Sequence, residues 1–410
     1  MFASAGRAQT LARMFRIACA LLLLAPCGLR AAPTGLPWKI PPLDGELAGE
    51  FTVRATPEAP VLTWKISART ARPRERMIDL AIDGPGLRVR LAAVLDPAGE
   101  GTWELREAEV DVGRWLPSIA ALWPDFPLGP LVIGGHVKAQ GAGGVSGGVP
   151  RGRLQLTLRD GRVDDAAHKV QLEGIAGTIG VEELSPLRTA PAQRLTWTHG
   201  RYDVAEFGAG HVVLALDGDQ LRIAELRLAA FGGELALSAM QVSLTRPEAE
   251  MTATISGIDA ALVLPLFPQF ATAARGRLDG SLSLRRDAEG IHVGAGRLAL
   301  PAGAVADVLL KPSAGLLTSS LPESVRKHYP GLADLEAGRV PLRAEVLEIV
   351  IDPAGDAEGR TARVRLAGGP VDPRMRAPID LTVNVRGPLE SLFKFASDSR
   401  LNWGGGGNKR

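Results

Sequence analysis

The residues of this chain with the clearest chemical potential lie in a few short polar motifs. Gly144-Val145-Ser146-Gly147-Gly148 has the letters of a nucleophile elbow, in which a serine between a strand and a helix attacks a carbonyl carbon. The residues that follow, 151–156, alternate like a strand, so no helix is expected after the serine. The glycine-rich stretch 141–148 is instead predicted to be either a flexible hairpin loop or a joint between two halves of the chain.

Two other motifs have the residue types of a metal site or a dinucleotide site. Val163-Asp164-Asp165-Ala166-Ala167-His168 offers carboxylates and an imidazole, but no second segment supplies further ligands, and we interpret it as a polar turn. Gly294-Ala295-Gly296 lacks the third glycine and the helix of a dinucleotide site. The six histidines are scattered, and His292 is expected on the polar side of its strand. The sequence therefore predicts no catalytic residue, no metal site, no cofactor and no enzyme activity.

The composition favours an extended surface made of sheets. The chain of 410 residues contains 48 glycines and 30 prolines, as expected where turns recur about every eight to twelve positions. A formal net charge of +2 is small for this length and disfavours a nucleic-acid partner. Aromatic residues make up only 5% of the chain, which disfavours stacking platforms for bases or sugars.

The N-terminal residues predict export. Arginines precede the apolar run 17–25, and Ala31 is a small residue at a cleavage position, so residues 1–31 are read as a secretory signal peptide. The apolar run is shorter than the about 20 residues that span a membrane, but retention as an anchor stays an alternative. Both cysteines of the chain lie in this segment, so a cleaved chain would form no disulfide.

Most of the remaining chain alternates apolar and polar residues with the period of a β-strand. In residues 277–284, Leu278, Leu282 and Leu284 project to one side, and charged or hydroxyl residues project to the other. About twenty such strands are predicted, none apolar on both sides, which favours antiparallel meanders with one polar face. Short helices are predicted at residues 112–123, 259–274, 324–335 and 389–397.

Two irregularities in the pattern suggest how the sheet is shaped. The alternation changes phase at residues 224–225 and again between Leu237 and Val242, where β-bulges would keep both halves of each strand facing inward. A weak internal repeat relates residues 115–137 to residues 261–282, because in each a strand leads into a short helix and then into a new hairpin. Since bulges curve sheets, we expect a curved sheet that can form a trough.

Several glycine-turn motifs resemble the signature of the YdbH family, which belongs to the wider group of AsmA-like and TamB-like envelope proteins. They are Phe231-Gly232-Gly233-Glu234-Leu235, Ile255-Ser256-Gly257-Ile258-Asp259, Ala274-Arg275-Gly276-Arg277-Leu278-Asp279-Gly280 and Gly290-Ile291-His292-Val293. Residues 364–369 and 381–385 look like the closing strands of the family. The resemblance extends from about residue 205 to about residue 395, and the family's domain carries the label dicarboxylate transport.

The resemblance implies a mainly β fold: an extended, twisted antiparallel β-groove, called a β-taco, with a few short helices. It also implies a periplasmic protein that carries phospholipid acyl chains between the inner and outer membranes of a Gram-negative cell. A small outer-membrane lipoprotein partner and contact with a membrane surface are implied as well. This chain is shorter than the long bridging members. If about twenty strands stack in a single sheet at about 4.8 Å each, the groove reaches at most about 100 Å.

These expectations divide the chain and select the residues of a lipid path. The predicted parts are a signal peptide (1–31), a proline-rich leader (32–50), an N-terminal β-groove segment (51–140), a YdbH-like β-groove domain (149–400) and a flexible tail (401–410). The residues expected to line the groove are Leu214, Leu216, Ile223, Leu226, Leu235, Leu237, Leu282, Leu284, Val383 and Val385.

Two other functions fit the same sequence. The same leucines could form the closed core of a β-sandwich, in which case the chain would be an envelope scaffold or assembly protein without a ligand. The family label suggests an accessory of dicarboxylate transport. A dianion pocket needs converging arginines or lysines, however, and the arginines here mostly alternate outward.

Overall fold

The structure is a computed structural model that describes residues 44–52, 61–72, 74–116, 132–166, 169–202, 205–243, 248–263, 271–287, 290–315, 317–319, 321–355, 359–372 and 378–386. Within these residues the chain forms 24 strands in one sheet, and the registered strand pairs are antiparallel. The prediction of a mainly β, antiparallel fold with few short helices is confirmed.

The elements have the following bounds. The strands are β1 (Gly45–Thr52), β2 (Val61–Arg72), β3 (Glu75–Gly84), β4 (Leu87–Leu95), β5 (Gly101–Asp111), β6 (Val132–Ser146), β7 (Val149–Asp165), β8 (Val170–Leu184), β9 (Leu187–Thr189), β10 (Gln193–Trp197), β11 (His199–Tyr202), β12 (Ala205–Phe207), β13 (Gly210–Asp217), β14 (Gln220–Ala230), β15 (Gly233–Leu237), β16 (Met240–Ser243), β17 (Ala249–Asp259), β18 (Ala271–Arg275), β19 (Arg277–Asp287), β20 (Gly290–Ala299), β21 (Ala306–Leu310), β22 (Leu342–Ile351), β23 (Arg360–Pro370) and β24 (Ile379–Arg386). The helices are α1 (Ala260–Val263), α2 (Glu323–His328) and α3 (Gly331–Glu336), and residues 112–116 are also helical.

The chain divides into two compact units. The first contains the described residues within Met1–Asp203, His211–Ala224 and Gln241–Arg246, and the second contains those within Val204–Gly210, Glu225–Met240 and Pro247–Arg410. The borders at residues 224–225 and 240–241 fall where the sequence predicted the two changes of phase. In β14 the consecutive residues 225 and 226 are both half-buried, so the alternation does change phase at that border.

In the first unit, β1 to β8 pair consecutively as an antiparallel meander. In this register, apolar residues of neighbouring strands stand opposite each other. Since side chains two residues apart share a face of the sheet, these residues form rows on one face. One such row contains Leu47, Ile66, Leu80, Leu91, Leu105, Gly141, Leu154 and Val181. Its buried members belong to a cluster that includes Leu62, Trp115 and Leu216.

The second unit repeats this arrangement with its own strands. β14, β15, β17, β19, β20, β22, β23 and β24 pair in that order, all antiparallel. A second buried cluster contains residues from these strands, from β18 and β21, and from α1 and α3. Each unit therefore has an apolar core of its own, formed on one side of its strands.

The structure gives the weak internal repeat a physical basis. Asp111 ends β5 and Asp259 ends β17, and in each case the backbone N–H donates to a turn carbonyl, that of Gly86 at 2.7 Å and that of Phe231 at 2.8 Å. Each aspartate Oδ1 then accepts a backbone N–H of the helical residues that follow, from Arg114 at 3.2 Å and from Ala261 at 2.9 Å. Both units thus use an aspartate to turn a strand into a short helix.

Two predicted helices were wrong in part. Among the described residues of the segment 259–274, residues 260–263 form α1, and residues 271–274 belong to β18, which pairs with β21. The segment 324–335 contains two helices, because Pro330 lacks the N–H that a continuous helix would need. The predicted helix at 389–397 and the second part of the one at 112–123 lie outside the described residues, as do the signal peptide and the tail.

Candidate functional site

The apolar side of the second unit is the most extensive candidate surface among the described residues. Two rows cross eight strands on it, and each row takes one residue from every strand. The first row is Leu228, Leu235, Ile255, Gly280, Leu298, Ile349, Val364 and Val383. The second row is Leu226, Leu237, Ala253, Leu282, Gly296, Ile351, Ala362 and Val385. We call these two rows, with Met251, Leu284 and Val293, the apolar face of the second unit.

The structure brings together most of the residues predicted to line a groove. The apolar face of the second unit contains Leu226, Leu235, Leu237, Leu282, Leu284, Val383 and Val385. Among them the described side chains are half-buried, and that of Val385 lies outside the described ones. The other three predicted residues, Leu214, Leu216 and Ile223, belong to the first unit, where Leu216 is a buried member of the core.

Burial changes along the strands of this face. Leu278 in β19 has no exposed surface and belongs to the buried cluster that contains Val263 of α1 and Leu335 of α3. Leu282 and Leu284 project to the same side of the same strand but are only half-buried. On β19 the apolar face is therefore sealed near Leu278 and retains accessible hydrocarbon surface farther along. On β22 and β23 the row members are buried: Ile349, Ile351, Ala362 and Val364.

Glycines inside the rows let neighbouring leucines lie flat on the sheet. A Cβ atom added to Gly296 would stand 2.5 Å from Cδ1 of Leu282, its partner in the register. The same holds in the first unit, where a Cβ on Gly141 would stand 2.5 Å from Cδ2 of Leu154. A side chain larger than hydrogen at either glycine would have to displace both the leucine and a backbone carbonyl oxygen of the neighbouring strand, that of Arg153 or of Ser281.

The opposite face of the sheet in the second unit is charged and exposed to solvent. Arg365 forms two hydrogen bonds to the carboxylate of Asp380, at 2.8 Å and 3.2 Å, and this contact lowers the pKa of Asp380 below its ordinary value. Arg227 pairs with Glu225 at 2.6 Å and with Glu234 at 2.9 Å. These arginines are spread over several strands and are matched by carboxylates, as expected for a solvated sheet surface.

Three of the four glycine-turn motifs that carried the family resemblance meet at one place in the second unit. Arg277 donates to the carbonyl oxygens of Gly232 and Gly257, the latter at 2.8 Å. The N–H of Gly257 donates to the carboxylate of Asp279 at 2.7 Å. These bonds surround the bulge between Ile255 and Ile258, where β17 pairs with β19. The motif residues therefore fix the geometry of a bend, and none is arranged as a reactive group.

The first unit has an apolar face of the same kind, which the list of predicted lining residues left out. Half-buried Trp64, Ile66, Leu80 and Leu91 lie on it, and Leu47 in β1 is 61% exposed. Alternation in β1 to β4 was the sequence signal that could have identified these positions. The resemblance drew attention to the second half of the chain instead.

The polar motifs that could have done chemistry are parts of turns. Ser146 pairs with Val149 across a two-residue turn at Gly147 and Gly148, whose φ angles are +59° and +75°. A hairpin turn is therefore present, since φ above zero at both turn residues is the geometry of a tight β-hairpin. It is confined to residues 147–148, and the prediction of a loop over 141–148 was wrong for residues 141–146, which belong to β6. Among the described residues, no group of histidine, cysteine, aspartate and glutamate could hold a metal ion. No helix in the described part of the chain is long and apolar enough to cross a membrane.

Part of the chain matches a known family. Residues 111–303 match the YdbH-like family model, which is described as "Intermembrane phospholipid transport protein YdbH". The resemblance deduced from the glycine-turn motifs is confirmed over this range. The match begins at the end of β5, well before the predicted start near residue 205, and it ends before β21, so the closing strands lie outside it. No curated protein and no solved structure matches the chain significantly.

Proposed function

We propose that this chain is a periplasmic lipid-transfer protein that carries phospholipid acyl chains along an apolar β-groove between the inner and outer membranes. The observation that carries the proposal is the apolar face of the second unit, whose rows cross eight strands in register and keep half-buried leucines. The family match, which is to intermembrane phospholipid transport, covers β14 to β20 of that face.

The chemistry of the face suits a sliding hydrocarbon chain. Each methylene group of an acyl chain that leaves water for this surface gains about 0.8 kcal/mol. The two rows contain only leucine, isoleucine, valine, alanine and glycine, so they offer no polar group that would fix one position of the lipid. Flat-lying leucines over glycines leave few steps in the path. We therefore infer weak binding of acyl chains that does not depend on the lipid species, rather than tight binding of one lipid.

In the second unit, the proposed groove is lined by the predicted residues found there. In the first unit, we propose a lipid path of its own along the face that contains Leu80 and Leu91, with Leu214 and Ile223 as further lining, whereas Leu216 belongs to the buried core. Export across the inner membrane by the predicted signal peptide would bring the chain to the periplasm. The small outer-membrane lipoprotein that the family resemblance implies would then extend the sheet, and membrane contact would supply and receive the lipid. These parts of the proposal rest on the resemblance and on the sequence.

The first test is to purify the exported chain without added lipid and to analyse it by native mass spectrometry and lipid extraction. Co-purified phospholipid, lost on delipidation and regained from vesicles, is the expected result. A lipid-free chain with a fully protected core by hydrogen exchange would contradict the proposal and favour the closed scaffold. Binding of small dicarboxylates without lipid would favour the transport-accessory alternative.

A second test places one charge at three matched positions of β19. Leu282→Arg is expected to reduce lipid loading at least several-fold while the sheet stays folded, because a half-buried side chain can turn its charge toward water. Ser281→Arg introduces the same charge on the exposed polar side and should leave loading unchanged. Leu278→Arg is expected to unfold the unit, because this position has no exposed surface. Equal loss of lipid in the first two variants would contradict the proposed path.

A further inference from the structure

The hairpin between β2 and β3 carries an unusual concentration of arginine. Arg69, Arg72, Arg74 and Arg76 fall within eight residues of the first unit, before the first residue of the family match. The register pairs Arg69 with Met77 and Arg72 with Glu75, so the hairpin brings all four arginines to one end of the sheet. We call residues 69–76 the arginine hairpin.

Most of this positive charge is not neutralised locally. Arg69, Arg72 and Arg74 are exposed. Arg72 lies 3.8 Å from the carboxylate of Glu75, and its side chain is 77% exposed, so this contact is loose. Arg69 directs its guanidinium to Sδ of Met77 at 2.9 Å, a neutral acceptor.

The arginine hairpin lies at one end of the apolar face of the first unit. Arg76 alternates with Ile78 and Leu80 in β3, so its side chain is on the apolar side of the sheet. Arg76 is held there by the carboxylate of Asp44 and, at 2.7 Å, by the hydroxyl of Thr70. The apolar face therefore ends in a fixed guanidinium, and the exposed arginines extend beyond it.

We propose that the arginine hairpin docks the first unit onto an anionic bilayer surface. A guanidinium binds phosphate oxygens through parallel hydrogen bonds, which suits the headgroups of anionic phospholipids. A bilayer held at this end would lie where acyl chains can enter or leave the apolar face. This inference rests on the proposed lipid transfer, of which it specifies the membrane contact.

One arginine offers a test that separates binding from folding. Arg74 has a φ angle of +78°, a left-handed conformation that glycine adopts without strain and that other residues adopt at a cost. Arg74→Gly removes the charge and relieves the backbone, so the variant should be at least as stable as the wild-type chain. Loss of binding in this variant cannot then be attributed to unfolding.

The experiment is flotation of the full-length exported chain with vesicles of phosphatidylcholine, with or without phosphatidylglycerol. Wild-type chain is expected to bind only the anionic vesicles, and less as salt is raised. Arg74→Gly should weaken binding about fivefold, and the triple variant Arg69→Gln, Arg72→Gln and Arg74→Gly about a hundredfold. A matched control with Arg194→Gln, Arg201→Gln and Arg222→Gln removes three exposed arginines elsewhere in the first unit and should bind almost normally.

Equal weakening by the control triple variant, or equal binding to both vesicle types, would overturn the inference. Lipid loading is measured in parallel from monomeric lipid delivered by cyclodextrin, so that no vesicle docking is needed. Normal loading in the triple variant with lost flotation is the expected combination. Normal loading with unchanged flotation would refute the hairpin alone, whereas absence of loading in the wild-type chain would refute the lipid-transfer proposal.

Discussion

Leu282 of β19 pairs with Gly296 of β20 in the register of the sheet. A Cβ atom added to Gly296 would stand only 2.5 Å from Cδ1 of Leu282. The glycine therefore determines how far the leucine rises above the sheet. Gly141 and Leu154 stand in the same relationship in the first unit. Smooth apolar faces in both units depend on such pairs.

Gly296→Ala should destabilise the chain by about 1–3 kcal/mol, because the new methyl group would meet both Leu282 and the carbonyl oxygen of Ser281, the latter at 2.7 Å. Urea unfolding followed by circular dichroism measures the cost. Gly134→Ala is the control, since a Cβ there meets its nearest neighbour, Cβ of Arg162, at 3.9 Å. Equal costs for both variants would contradict the role of Gly296.

Asp111→Ala and Asp259→Ala should each cost about 1 kcal/mol, because each removes the acceptor for the first N–H groups of the helical residues that follow. The two costs should add, since the aspartates belong to different units and share no partner. Asparagine at either position keeps an acceptor and should restore most of the loss. Unfolding free energies that do not recover in the asparagine variants would show that the cap is not the cause.

Arg277→Ala should destabilise the bend of the second unit by about 2 kcal/mol, because it leaves the carbonyl oxygens of Gly232 and Gly257 without a charged donor. Lysine should recover much of this stability, since both bonds come from the single Nη1 atom and an ammonium group also carries several N–H donors on one nitrogen. Hydrogen exchange measured at Gly257 and its neighbours reports the local effect. Protection that is unchanged in the alanine variant would contradict this role of the family motif.

Glu336 links the loop before α2 to the end of α3 and should make stability depend on pH. Burial by itself raises the pKa of its carboxyl group, but hydrogen bonds from the N–H groups of Gly315, Leu317 and Thr318 outweigh burial and lower it. A carboxyl whose pKa is lower in the folded than in the unfolded chain stabilises the fold above the unfolded pKa. That contribution is lost as the pH falls through the folded pKa.

Glu336→Gln should therefore cost about 2 kcal/mol near neutral pH and less in acid. Unfolding midpoints measured from pH 7 to pH 3 should converge for the two chains as the wild-type carboxyl becomes protonated. Glu323→Gln, a change at an exposed glutamate of α2, is the control and should leave the pH profile unchanged. A constant difference between Glu336→Gln and wild type over this range would contradict the assignment.

Much of the fold could be predicted because the alternation of apolar and polar residues in a strand indicates which face of the sheet each side chain is on. Residues 277–284 alternate in exposure as their residue types alternate, and residues 379–384 do the same. Side chains two residues apart share a face by backbone geometry alone. The helix predictions were less accurate, since a short apolar stretch such as 271–275 fits either a helix or a buried strand until its partner, β21, is known.

The sequence by itself determined that this is a β-sheet protein with one apolar face and one polar face, because period-two alternation is a local property of each strand. Its local glycine turns also carry the resemblance to the YdbH-like family, whose model matches residues 111–303. Only the tertiary structure decided the register, which aligns Leu235, Leu298 and Val383 in one row across strands distant in sequence. Likewise, only packing distinguishes buried Leu278 from half-buried Leu282, since burial depends on what the rest of the chain places above each residue.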